Sequence, residues 1–371
     1  MVGLVHGAAA PGAALPIDSH VQYRAVAIWL WSLAALVFLM VIVGGATRLT
    51  ESGLSITEWK PLSGVLPPLS EAAWLAEFEN YKKIPQYAQV FPDMDLSGFK
   101  FIFFWEWSHR LLGRLIGVAT ALPLAFFWAR GMLPKGFKAK LLGVLALGAL
   151  QGFVGWWMVK SGLVGRIEVA QERLAIHLLL ASATFAALVW LAASLTRSAR
   201  AGSERPAPGL SWFANGFILL VLLQIGLGAL VAGLRAGRAF NSWPLIDGAF
   251  IPPREKLLLL EPIWRNFVDN MLLVQFQHRM VAYALLAVAL LQALYVWRRA
   301  GSGPDARRAL ILFGLVGAQM AIGVATLVLA VPLAAGLLHQ AFAMIVLGAA
   351  VIHAEALCRR RKPGEAYASA D

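Results

Sequence analysis

Five side chains stand out because their types are costly in apolar sequence: His109, His177, His278, His339 and Glu106. Each histidine lies inside a long apolar stretch, where a polar group needs a partner. Taken singly, each reads most simply as an interhelical hydrogen-bonding residue. Taken together they form two pairs. They stand about eight, three, seven and six residues into their stretches, or ~5–12 Å along a helix. Zinc and copper sites usually draw three or four ligands, often with a thiolate or carboxylate. Each half of this chain offers two histidines on different helices and no cysteine. Two imidazoles from facing helices suit axial ligation of a haem iron.

Neighbouring residues extend that reading. Haem carries propionates, which call for cations. Arg110 and Arg279 directly follow two of the histidines, and Arg114 lies one turn on. Their alternative roles are snorkelling to the interface or pairing with Glu106. Glu106 stands three residues before His109, on one helix face with it. Three residues before His278 stands Gln275 instead. A carboxylate beside a metal site is a candidate for proton or charge chemistry, whereas an amide only hydrogen-bonds. This asymmetry predicts that the first half reacts and the second holds a permanent cofactor.

The elements that position these residues follow from composition. Of 371 residues, 59% are apolar and 14% charged, with a mean hydropathy of +0.69. Soluble domains run at roughly 45–50% apolar and 25% charged. The balance excludes a soluble globular enzyme and a disordered chain. The lone Cys358 excludes a disulfide-stapled secreted domain. Eight apolar segments predict an all-α polytopic membrane protein, at roughly 25–46, 101–128, 141–159, 174–195, 210–234, 271–297, 309–331 and 333–357.

The net charge of +12 reads as loop lysines and arginines that set orientation, not as a nucleic-acid surface. The short intervals near 130–140, 197–205 and 298–308, with the tail at 359–362, hold fifteen basic residues. The opposite intervals hold thirteen over roughly three times the length. Both termini are therefore expected in the cytoplasm, with the long loops 47–100 and 235–268 and the histidines toward the periplasm. The opening residues lack a basic start and long apolar run, so they read as a tail, not a secretory signal.

The chain also reads as an internal duplication. Trp59 to Pro68 resembles Trp243 to Pro253 at an offset near 184. His109-Arg110 matches His278-Arg279 at 169, Gln151 matches Gln319 at 168, and His177 matches His339 at 162. The expected layout is a tail over 1–24, a first four-helix bundle over 25–200, a second over 201–357 and a tail over 358–371. The two bundles would be related by a pseudo-twofold axis along the membrane normal.

These motifs resemble a known family. Gly44 to Ser55 followed by Trp59-Lys60-Pro61, then Glu106-Trp107-Ser108-His109-Arg110, His177, Gln277-His278-Arg279 and Leu338-His339-Gln340, are similar to haem A synthase. The likeness covers about residues 25–357. It resembles the bacterial and mitochondrial branch whose first periplasmic loop lacks a cysteine pair, and neither long loop here contains cysteine. The resemblance implies an oxidoreductase of the inner membrane that oxidises the C8 methyl of haem O to the formyl of haem A through successive hydroxylations, for haem-copper cytochrome oxidase. It implies haem b as resident cofactor, ligated by His278 and His339. His109 and His177 would hold the substrate haem, and Glu106 matches the family's essential carboxylate. Haem O synthase is implied as the supplier of substrate, and a homo-oligomer is compatible. Two other readings compete. A di-haem electron-transfer cytochrome does not account for Glu106, and a transporter is not favoured by parallel repeats with histidines near one face. Around Glu71 to Lys83 an amphipathic stretch is expected, lying at the interface or capping the first-half site.

Overall fold

The computed structural model describes residues 19–59, 63–198 and 209–358. Among them the chain is all-helical, and the one strand-like pairing is a bridge between Ile246 and Ala249. Eight helices are long and apolar enough to cross a membrane. They are span 1 (Ser19–Leu49), span 2 (Leu96–Ala129), span 3 (Phe137–Gly162), span 4 (Gln171–Ser198), span 5 (Leu210–Gly233), span 6 (Met271–Ala300), span 7 (Pro304–Val328) and span 8 (Leu333–Cys358). The solution is imposed by the solvent. Hydrocarbon offers no hydrogen bonds, so each crossing segment must satisfy its own backbone.

The ends of the spans are set by local chemistry. Asp95 caps span 2, its carboxylate accepting from the Gly98 N–H at 2.8 Å. Asn270 caps span 6, its side-chain oxygen accepting from Leu272 and Leu273. Pro304 opens span 7, where its missing N–H has no helical partner to lose. Spans 1 and 5 stop at Glu51 and Arg235, two non-glycine residues with left-handed backbones.

Several boundaries differ by a few residues from those expected of the sequence. Span 4 begins at Gln171 rather than 174, because its first turn is polar (Gln171, Glu172) and hydropathy does not register it. Span 1 runs back to Ser19, into the segment read as a tail. Residues 1–18 of that tail, residues 199–208 of the basic loop between spans 4 and 5, and the C-terminal tail 359–371 lie outside the described residues.

Spans 1, 2, 3 and 4 pack in a ring, each touching the next, and spans 5, 6, 7 and 8 do the same. The two rings meet through contacts of span 4 with spans 5 and 8, and of span 1 with span 8. These inner spans have 39–56% of their most apolar window buried, against 11–28% for spans 2, 3, 6 and 7. The core between them is apolar: Leu30, Leu33 and Val37 from span 1, Leu188 and Ala192 from span 4, Phe217 and Val221 from span 5, and Leu347 and Val351 from span 8. Outward-facing Leu115, Leu122, Phe153, Leu219 and Leu291 form the surface that lipid would cover.

On the side of the long loops, helix Glu71–Lys82 is capped by Ser70 and lies on the start of span 2. Its Trp74, Phe78 and Tyr81 are buried against Phe99, Ile102 and Phe103. The amphipathic stretch is therefore packed on protein along its aromatic face. Burial raises the Tyr81 phenol well above its ordinary range, reinforced by the negative charges of Glu51 and Glu106.

Candidate functional site

The four span histidines enter from the long-loop side of their helices. His177 and His339 stand six residues into spans 4 and 8, and His278 seven into span 6. His109 stands thirteen residues into span 2, whose first turns carry the Trp74 cluster outside the bundle. The apparent shallowness of His177 in the sequence came from placing the start of span 4 too late.

Each histidine ring is seated on a glycine of a neighbouring span. A Cβ on Gly155 would lie 2.9 Å from Cε1 of His177, on Gly228 3.1 Å from Cε1 of His278, and on Gly323 2.7 Å from Cε1 of His339. On Gly44 it would lie 3.0 Å from Nε2 of His109. Odd-numbered spans thus supply the seats, and even-numbered spans the imidazoles.

Three of the four rings also meet an amide. One turn before each of three seats stands a glutamine. Gln151, Gln224 and Gln319 donate from Nε2 to the backbone carbonyls of His177, His278 and His339 at 3.1, 3.0 and 3.0 Å. The same nitrogens lie 3.1, 3.1 and 3.2 Å from Nδ1 of those rings. Each leaves its amide oxygen buried without a hydrogen-bond partner. The Gln-x-x-x-Gly pattern that signals this was legible in the sequence, but only Gln151 and Gln319 were singled out there. Gln224, Gly155, Gly228 and Gly323 were missed, and Gly44 figured only as part of the family motif.

The His278 and His339 rings stand 6.4 Å apart between centroids, with planes at 81°. Two imidazoles that share one metal ion put their centroids about 6 Å apart, since each metal–nitrogen bond is about 2.0–2.1 Å and each ring adds its own radius. The gap is of the size that one shared ion would need, and His278 and His339 would be the residues to hold it. Among the described residues no three His, Cys, Asp or Glu side chains converge as a metal-holding set. The donor set is a pair, which suits a metal that brings its own equatorial ligands.

Glu106 is 3% exposed and its carboxylate accepts four hydrogen bonds. Oε2 takes the Ser55 hydroxyl at 2.8 Å and the Ile56 N–H at 2.7 Å. Oε1 takes Arg110 Nε at 3.0 Å and Nη2 at 2.6 Å. Arg110 also donates to the carbonyls of Ile56 and Glu58. Of the three roles that the sequence leaves open to Arg110, the structure shows the pairing with Glu106. Its outer side, with Arg114 and Trp107, lines a cavity of about 280 Å³ under Pro67 and Pro68.

In the second ring Arg279 donates to the carbonyls of Phe240 and Leu245. Phe240 follows Ile56 by 184 residues, so the two arginines hold corresponding loop carbonyls. At that offset Ser55 becomes Ala239, and at the 169 offset of the histidine motif Glu106 becomes Gln275, buried with its carbonyl oxygen unpaired. Arg279 keeps a buried Nε–H without a hydrogen-bond partner.

His353, near the end of span 8, is 1% exposed. The helix continues to Cys358, and Ala354 and Leu357 pack with Leu210, Ala293 and Ala306 of spans 5, 6 and 7. That packing covers the end of the bundle.

A family model described as cytochrome oxidase assembly protein matches residues 27–351. The chain is 70% identical over 346 residues to a protein named heme A synthase from Beijerinckia indica subsp. indica, covering 93% of this chain and 96% of the other. It is 51% identical over 331 residues to proteins of the same name from Brucella suis and Brucella ovis, covering 89% of this chain and 91% of each.

Proposed function

The chain belongs to the cytochrome oxidase assembly protein family that includes the heme A synthases, and from that premise we propose that it oxidises a methyl group of haem O to the formyl group of haem A. The observation that carries this reading is Glu106: a buried carboxylate one turn from His109, held by four hydrogen bonds, with Gln275 at its counterpart.

In this proposal His109 and His177 hold the substrate haem, and His278 and His339 hold a resident haem b. Their 6.4 Å separation supports the second pair. Haem b, when bound there, supplies one-electron redox chemistry. Arg279, with its unpaired buried N–H, is a donor for a propionate of that group. We place the protein in the bacterial inner membrane, with both sites toward the periplasm and haem O synthase as supplier of substrate.

Conversion of methyl to formyl withdraws four electrons from carbon and adds one oxygen atom, with release of protons; where an electron leaves ahead of its proton, positive charge develops at the porphyrin edge. A fixed carboxylate stabilises such charge without reorganising. An ionised carboxylate has about four acceptor sites, and the four bonds to Glu106 occupy them. The role this geometry supports best is therefore electrostatic. To orient a water, Glu106 would first have to release Ser55 or Arg110.

The test is pigment extraction after expression in a host that makes haem O but no haem A, comparing the unaltered protein with Glu106→Gln. The expected result is haem A from the former only, with equal total haem in both. Haem A at the normal rate from the variant would remove Glu106 from the chemistry. Haem b alone in both, with haem O supply confirmed, would favour an electron-transfer cytochrome instead.

A further inference from the structure

The seats and amides treat the four histidines unequally. Aligning Gly44 with Gly228 at the 184 offset aligns Met40 with Gln224. Thus His177, His278 and His339 each have an amide against the ring, and His109 has a thioether on the span that seats it. The Met40 methyl reaches 3.3 Å from where a Cβ on Gly113 would lie, one turn beyond His109. Among the described residues the His109 ring makes no side-chain hydrogen bond. It turns its Nε2–Cδ2 edge to Gly44, whereas the other three rings turn Cε1 to their glycines. A half-turn about the ring bond interconverts these orientations, and Met40, aligned with Gln224, offers no amide to select one.

The amides have a definite use once a metal is bound. An imidazole that gives one nitrogen to a metal keeps an N–H on the other, and an outer partner for that N–H fixes the ring. Each glutamine holds a buried, unpaired carbonyl oxygen at its ring. Rotation of the amide presents either its NH₂ or that oxygen. A thioether is a weak acceptor and offers no comparable anchor.

We propose that Gln151, Gln224 and Gln319 are positioning residues that lock three of the four imidazoles, and that Met40 leaves His109 as the one exchangeable haem ligand. This rests on the haem reading given above. The second haem then has two locked ligands, as suits a permanent cofactor. The first has His177 locked and His109 able to turn away, freeing one iron position and a place for substrate haem to enter and leave.

Carbon monoxide reports ligand exchange directly. It binds ferrous haem only where an axial ligand leaves, with no change in electron count. The experiment measures CO titration of the dithionite-reduced holoprotein, produced with haem O, by visible spectroscopy. The unaltered protein is expected to bind CO at one of its two haems. Met40→Gln should weaken that binding about 10–100-fold, the scale of one outer partner of a metal ligand. Gln224→Met should make the second haem CO-reactive. A purely structural role for these positions would not give tighter ligation in one variant and looser in the other. CO binding to neither haem or to both in the unaltered protein, or unchanged CO affinity in both haem-loaded variants, overturns the proposal. If one variant fails to retain haem, the other decides on the same criterion. Failure of the underlying reading looks different: haem content would then be unaffected by His278→Ala and His177→Ala.

Discussion

Glu51 and Arg235 stand 184 residues apart, each ends its span in a left-handed conformation, and their side chains form an ion pair at 2.8 Å. Their φ values are 57° and 53°. Corresponding backbone bonds precede them, from Thr50 to Ala46 and from Leu234 to Leu230. Two residues at corresponding positions of the two rings thus meet each other where the rings join. Glu168 binds both Arg235 and Arg48, and Arg48 also donates to the carbonyls of Ala232 and Gly233 that end span 5. A cation there opposes the negative end of the helix.

That network predicts an ordered pair of effects. Arg235→Gln leaves Glu51 and Glu168 without their shared partner, so it should destabilise more than Glu51→Gln, which leaves Arg235 on Glu168. In a double-mutant cycle the pair should show a coupling of about 0.5–1 kcal/mol, low in the range for contacting residues because Arg235 is partly solvated. Melting temperatures of the purified protein in detergent measure it. Additive losses would mean that the two charges act independently.

The eight spans were legible because lipid forces a simple solution on apolar sequence, and Glu106 was legible because its counterpart is an amide. The seats were not, since a glycine in an apolar helix reads as packing until a ring is found on it. Gln224 escaped for a related reason: a lone amide in a span has many uses, and only the glycine one turn later ties it to His278. The Met40 difference became visible only when the seats themselves set the alignment. Hydropathy placed the start of span 2 near 101 rather than Leu96, because its first turns leave the bundle to pack beneath Trp74 and are anchored by the Asp95 cap.

Ser55 supplies one of four hydrogen bonds to a buried carboxylate, and a bond to a charged group is worth about 1.5–3 kcal/mol. Ser55→Ala makes the loop resemble the second repeat, where Ala239 stands. The expected outcome is about a tenfold or greater loss of haem A formation with haem content unchanged, since 1.36 kcal/mol corresponds to tenfold in rate. Chromatography of extracted haems gives both quantities. Loss of haem together with activity would assign Ser55 to folding of the loop instead.

Tyr81 predicts an alkaline limit. Its phenol is held neutral in the folded protein by burial and donates to Gln86, which in turn donates to the Glu51 carbonyl. In the unfolded chain the phenol ionises near pH 10. Because the folded pKa is raised, this stabilisation is complete below about pH 10 and falls as pH rises above it. Melting temperature against pH should turn downward there in the unaltered protein and less steeply in Tyr81→Phe. Identical slopes in the two would show that other groups set the limit.

The glycine seats give a graded prediction, because the room for a methyl group differs among them. A Cβ would meet Cε1 at 2.7 Å on Gly323, 2.9 Å on Gly155 and 3.1 Å on Gly228. Real Cβ contacts essentially never fall below 3.0 Å, so the first two rings must move, whereas the third requires a few tenths of an ångström. Overpacking of this kind typically costs about 1–3 kcal/mol. In the proposed sites the ring that moves is also the one whose nitrogen would hold the metal. Gly323→Ala should therefore lose the most haem and Gly228→Ala the least, even though both seats serve the same pair, His278 and His339. Haem-to-protein ratios of the purified variants test the order. Equal losses at Gly323 and Gly228 would show that backbone flexibility, which both substitutions reduce alike, matters more than the fit of the ring.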